Sequence, residues 1–173
     1  MPRPSSPLPT TRLYAVTHLA AAAFRGSPHA DAFTSGSPTI VSPIVFDARL
    51  HDSSAVPARA LYDPGAGLTI VNRRYAVAHG LKLLPLAARS AARLPNGAVL
   101  PISEQCLLPL AIGPSYTAVV RAHCLPLHDD VDVILGMPWS HSADAVMFTR
   151  QRQVSVSHKG RRIFLHDAPT PPP

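Results

Sequence analysis

The chain has 173 residues, an apolar fraction of 46%, 20 prolines and a formal charge of +6, which suits one domain flanked by proline-rich tails. No window of about 18 uninterrupted apolar residues occurs, which excludes a membrane-spanning helix. The positive charge is mostly arginine, scattered at Arg73-Arg74, Arg89, Arg93, Arg121, Arg150, Arg152 and Arg161-Arg162. Without an aromatic-interleaved basic patch it reads as solvated surface, and nucleic acid is not an expected partner.

Residues 1–37 carry Pro2, Pro4, Pro7, Pro9 and Pro28 and run into Ser35 to Pro38, the composition of a disordered leader. Within it, Thr11 to Phe24 has the spacing of a short helix, with Leu13, Val16, Leu19 and Ala20 near one face. The apolar run Leu19 to Phe24 is too short for a secretory signal. The expectation is therefore a cytoplasmic, intracellular location, with Cys106 and Cys124 as thiols.

From Ile40 to Leu50 the alternation of Ile44, Phe46 and Ala48 against Val45 and Asp47 predicts a strand. After the polar turn His51 to Ser54, Val56 to Tyr62 returns as a second strand that ends at Asp63. Asn72 to His79 reads as a short helix, with Asn72 as its cap and Gly80 as its left-handed stop. Leu81 to Leu86 and Ala91 to Leu94 read as strands. Pro95-Asn96-Gly97-Ala98 is then a hairpin tip built on a two-residue Asn-Gly turn.

Val99 to Ile102, Leu107 to Ile112, Thr117 to Leu125 and Val131 to Leu135 continue the strands, with a turn at Gly113 to Ser115. Met137 to Ala143 is a second short helix, and Val154 to Val156 and Ile163 to Leu165 flank a turn at His158 to Gly160. Many short strands with turns at regular spacing indicate an all-β, barrel-like domain with one or two short helices. The domain is expected over residues 38–167, followed by a disordered Pro-rich linker at 168–173.

One carboxylate stands out. Ala60-Leu61-Tyr62-Asp63-Pro64-Gly65-Ala66 runs an apolar strand into an aspartate at a tight glycine turn. Peptide hydrolysis by paired carboxylates needs two such groups sharing one proton, one as base on a water and one as acid toward the carbonyl oxygen. Groups crowded in that way titrate as a pair. The chain supplies a single Asp-x-Gly, so a dyad requires a second copy of the chain and a two-fold axis at Asp63.

Asp63-Pro64-Gly65-Ala66, the Asn96-Gly97 hairpin and Ile134-Leu135-Gly136-Met137-Pro138-Trp139, in that order, resemble the retropepsins. The resemblance is closest to the aspartic protease domain of long-terminal-repeat (gypsy-type) retrotransposon polyproteins. It spans roughly residues 40–166 and implies a closed β-barrel of the acid-protease fold. It also implies a homodimer that cuts polypeptide substrates within its own polyprotein. Asp63 is then catalytic, and Pro64, Gly65 and Ala66 form the active-site loop. Leu94, Pro95, Asn96, Gly97, Ala98 and Val99 form the substrate-covering flap, for which the plain alternative is a surface hairpin. Ile134, Leu135 and Gly136 support the loop, and Trp139 is a core or interface anchor.

Pro64 departs from the family pattern, which has Ser or Thr there. In the family that hydroxyl bonds across the two-fold axis to the other loop, whereas proline has neither a hydroxyl nor an N–H. A second reading follows, a catalytically impaired dimerisation or peptide-binding module. A third is a generic β-barrel with a coincidental Asp-x-Gly. No metal or cofactor is expected, since the nine histidines form no ligand spacing and the two cysteines no paired motif. Gly65-Ala66-Gly67 lacks the Lys-Ser/Thr of a phosphate loop. The adjacent His123 and Cys124 point to opposite faces of a strand, which removes them as a nucleophile pair.

Overall fold

The structure is a computed structural model and describes residues 12–15, 43–51, 55–94 and 96–168. In chain order the elements are β1 (Arg12–Ala15), β2 (Ile44–Leu50), β3 (Pro57–Tyr62), β4 (Ile70–Asn72), α1 (Arg73–Ala78), β5 (Leu84–Arg93), β6 (Val99–Ile112) and β7 (Tyr116–Leu125). They continue with β8 (Val133–Leu135), α2 (Met137–Ser142), β9 (Val146–Phe148), β10 (Gln153–His158) and β11 (Arg161–His166).

Hydrogen-bonded neighbours run β6, β2, β3, β8, β4, β7, and β7 pairs again with β6, so six strands close a ring. β5 and then β1 extend from β6, and β9, β10 and β11 form a separate antiparallel sheet. This is the expected all-β, retropepsin-like architecture. No helix among the described residues is long and apolar enough to cross a membrane.

Side-chain alternation decides the faces. In β2, Ile44, Phe46, Ala48 and Leu50 are buried while Asp47 and Arg49 are exposed, the period of a strand with one wet face. Phe46, Leu50, Leu108, Leu110 and Trp139 fill the main core, each fully buried side chain contributing about 1.5–3 kcal/mol. At the end of β3 the alternation stops, and Ala60, Leu61 and Tyr62 are all buried. Ala60 and Tyr62 face the main core, whereas Leu61 joins a second cluster with Ala66, Leu68, Ile70 and Ile134. β4 and β8 are likewise buried at every residue, so the strands leading to and from Asp63 are covered on both faces.

Local signals held where they were strong. Asn72 caps α1, its Oδ1 accepting the Arg74 N–H at 3.1 Å, and Gly80 follows with φ +68°. The turns at residues 113–115 and 158–160 are present. Differences arise where long-range pairing decides. Arg12–Ala15 are extended and not helical, because they pair in parallel with β5. The rest of the expected Thr11 to Phe24 helix, and nearly all of the leader, lie outside the described residues.

The paired short strands expected at 81–94 form one strand, β5, with a register irregularity between Pro85 and Ser90. Those expected at 99–112 also merge into one, because β6 ladders with β5 along its first half and with β7 along its second. The polar Ser103, Glu104 and Gln105 therefore do not interrupt it. β4 and β9 were not anticipated, being three residues each.

Candidate active site

β3 and β8 lie parallel, with Leu61 opposite Ile134 and Tyr62 opposite Leu135. The pairing carries one step further, and the Asp63 N–H donates to the Leu135 carbonyl at 3.0 Å. The chain then turns at once. The Asp63 carbonyl accepts the Ala66 N–H at 3.0 Å, and Asp63 Oδ1 accepts the Gly65 N–H at 3.1 Å. Pro64 sits at the second position of this turn, where its fixed φ suits the geometry and its missing N–H is not required. Asp63 is 4% exposed, a buried carboxylate at the mouth of a tight loop.

The loop is held from behind by three consecutive residues. Leu135 accepts from Asp63, Gly136 lies against the loop backbone, and the Met137 N–H donates to the Ala66 carbonyl at 2.7 Å. A Cβ on Gly136 would stand 1.8 Å from the Leu68 oxygen and 2.6 Å from the Ala66 oxygen. Only glycine fits there, for reasons of space and not of φ. Ile134 packs in the same apolar cluster as Ala66 and Leu68. The structure thus brings Asp63, Ala66, Ile134, Leu135 and Gly136 together.

Beneath the loop the Tyr62 and Ser140 hydroxyls meet at 3.0 Å, and the Trp139 indole N–H donates to the Tyr116 hydroxyl at 2.8 Å. Both tyrosine rings stand edge-on to Trp139, at 5.6 and 5.9 Å. Trp139 is a core anchor. Burial pushes the Tyr116 phenol up, partly offset by its bond to Trp139.

The hairpin after β5 has Leu94 buried beside Ala92, Ile102, Ala66 and Leu68, so its base rests on the Asp63 loop. Asn96, Gly97, Ala98 and Val99 are exposed, and Pro95 lies outside the described residues. The Leu94 N–H donates to Ala98 and the Gly97 N–H to Leu94. The reversal thus spans the three positions between Leu94 and Ala98, not two. Gly97 takes φ +84°, and Asn96 Oδ1 accepts the Ala98 N–H. An αL residue closing a three-residue loop explains the extra position.

Other described acidic groups are engaged elsewhere. Asp129 pairs with Arg74, Asp130 with His128, Asp144 with Arg162, Asp167 with Arg152 and Glu104 with Arg73. Asp47 lies on the outer face of β2. Asp132 accepts the Arg59 N–H at 2.8 Å, four residues along β3 from Asp63 and hence about 13 Å away. No group of three or more metal-ligating side chains occurs among the described residues. Cys106 and Cys124 are free, buried core thiols, and Cys124 is pushed up first by its bond to Cys106 and then by burial.

Asp132 makes a pH prediction. Burial raises its pKa, and the Arg59 N–H only partly opposes this. A raised carboxylate favours the folded state when protonated. Its contribution is complete below the unfolded value near 3.8 and is lost as pH rises through the folded value. Asp132→Asn keeps an acceptor for Arg59 and removes that loss. The variant should gain melting temperature relative to the parent between pH 4 and 7, and parallel Tm-versus-pH curves would contradict this.

Two features at the site escaped sequence reasoning. The Gly67 N–H donates to the Ala15 carbonyl at 2.9 Å, bringing β1 against the loop. Thr69 Oγ1 is buried with no hydrogen-bond partner among the described residues, and burial lowers the pKa of His123 nearby, partly offset by the Thr69 backbone. Neither has a local signal, because both arise from strand pairing across the fold.

A family model described as aspartyl protease matches residues 46–139, which holds Asp63, the hairpin and the Ile134 to Trp139 segment. Among solved structures the chain is similar to the retroviral protease-like domain of Ddi1 from Leishmania major. That likeness has a TM-score of 0.52 at 16% identity and covers 75% of this chain and 96% of that one. No curated protein matches the sequence.

Proposed function

This chain belongs to the aspartyl protease family, and we propose that it is an aspartic endopeptidase acting as a homodimer, with Asp63 of each copy supplying half of the catalytic pair. The observation that carries this reading is the loop itself. A buried Asp63 is fixed by its own turn and clamped through Leu135, Gly136 and Met137. The chain offers no second Asp-x-Gly, and its other described acidic groups are committed elsewhere or distant. A two-fold axis at the loop supplies the missing carboxylate from an identical copy.

In the pair, one Asp63 takes a proton from water as the water attacks the scissile carbonyl, and the other donates to the carbonyl oxygen. The Leu94–Val99 hairpin covers the bound peptide and excludes solvent. The order of loop, Asn-Gly hairpin and Ile-Leu-Gly-x-x-Trp segment supports a retrotransposon polyprotein as parent and substrate. The proline-rich flanks then serve as linkers in an intracellular precursor.

Pro64 favours a second reading, a peptide-binding or dimerising module with impaired chemistry. Proline offers no hydroxyl to the opposing loop, and each neutral hydrogen bond so lost is worth about 0.5–1.5 kcal/mol. Pro64→Ser restores one donor per copy. The expected result is a dimer tighter by about 5- to 150-fold, from about 1–3 kcal/mol over two bonds, with faster cleavage. The test pairs sedimentation equilibrium with cleavage of an unfolded protein between pH 4 and 7. Cleavage by the parent chain supports the endopeptidase. A folded dimer that cuts nothing, with or without Pro64, supports the binding module.

A further inference from the structure

β1 lies between the base of the hairpin and the Asp63 loop. On one edge Arg12 to Ala15 pair in parallel with Ser90 to Arg93, the last four residues of the strand that leads into the hairpin. At its end, the Ala15 carbonyl takes the Gly67 N–H of the loop that carries Asp63. Tyr14 packs with Ala66, Leu68, Ala92, Leu94 and Ile102, which join hairpin base and loop in one cluster. Its ring lies 5.8 Å from that of His123. Four residues of the chain are thus held as an added strand between hairpin and loop. Backbone hydrogen bonds of this kind capture an extended peptide without demanding a particular sequence.

Gly67 makes the close approach possible. A Cβ there would stand 3.1 Å from the Ala15 oxygen and 3.6 Å from the Ala15 nitrogen, so with a side chain at 67 the strand would have to give by a few tenths of an ångström. We propose that Arg12–Ala15 occupies the groove in which this chain binds extended peptides, so that its own leader competes with substrate. The identity of the groove rests on the endopeptidase reading above; the competition is a separate property. Because the competitor is tethered, its effective concentration is high, and the apparent affinity for any incoming peptide falls by the fraction of time the groove is filled.

The test uses the full chain with Asp63→Asn, so that nothing is cut, and a fluorescently labelled synthetic peptide with the sequence of residues 9–18. Tyr14→Pro removes a strand N–H and fixes φ, which breaks the pairing with β5. The double variant should bind the labelled peptide at least about tenfold tighter than Asp63→Asn alone. Equal affinity, or no binding by either, overturns the proposal. If the double variant misfolds, amide hydrogen exchange on the parent chain decides. The Gly67 N–H should be protected, and exchange as fast as in an open loop overturns the proposal. A chain that switches peptide binding but cuts nothing retains the competing leader and loses the endopeptidase. A chain that cuts, with binding indifferent to Tyr14→Pro, does the reverse.

Discussion

Asp63→Asn is expected to fold like the parent and to lose cleavage by on the order of 10⁴-fold, the upper range for removing a positioned acid–base group. The structural argument for intact folding is specific. The Asp63 N–H bond to Leu135 and the Asp63 carbonyl bond to Ala66 use the backbone, and the asparagine Oδ1 can still accept the Gly65 N–H. The side-chain volume is unchanged, so the second apolar cluster around Leu61 and Ala66 keeps its packing. What is lost is the proton that the pair must share. The measurement is the product yield from an unfolded protein substrate, with circular dichroism and thermal melting as controls. Equal yields from both proteins would show that Asp63 does not perform the chemistry.

Gly136→Ala should be the most damaging single-methyl change at the site. The added carbon would overlap the Leu68 and Ala66 oxygens at 1.8 and 2.6 Å. Both are backbone atoms, so no flexible side chain can swing aside. Either β8 must withdraw from β3 or the Asp63 loop must move outward, and the first route breaks the Leu135 and Met137 hydrogen bonds. Overpacking of this kind costs about 3 kcal/mol or more, equivalent to a fall in Tm of roughly 10 °C for a domain of this size. Any protein that still folds should also cut poorly, since a misplacement of about 1 Å costs on the order of 10²-fold in rate. Thermal melting checks the first effect and cleavage by the folded fraction the second. A Tm within about 2 °C of the parent would mean that the loop and β8 are not in contact.

The Asp63 loop was legible because its signals are local. An apolar strand, an aspartate, a turn-forming Pro-Gly pair and a small alanine specify their own geometry. The Asn72 cap and the Gly80 stop were readable for the same reason. The need for glycine at 136 follows from packing against residues some seventy positions earlier, and the sequence shows only that a glycine is there. Strand lengths were misjudged where a distant partner overrode polar residues, as at Ser103 to Gln105 within β6. The Asn-Gly pair located the hairpin but not its loop length, which the Leu94–Ala98 pairing sets. β1 was read as helical from an apolar spacing, although its structure is dictated by an edge of β5 some eighty residues away.

Because Leu61, Ile70, Val71, Val133, Ile134 and Leu135 are buried, the strand segments next to Asp63 have no wet surface from which to fray. Thermal breathing of this fold should begin at the exposed hairpin and the β9 edge, where Val146, Met147 and Phe148 face outward. It should reach β3, β4 and β8 only with global unfolding. The exposed hairpin can therefore move while the scaffold of Asp63 stays ordered, so mobility and geometry are set by different parts of the same small domain.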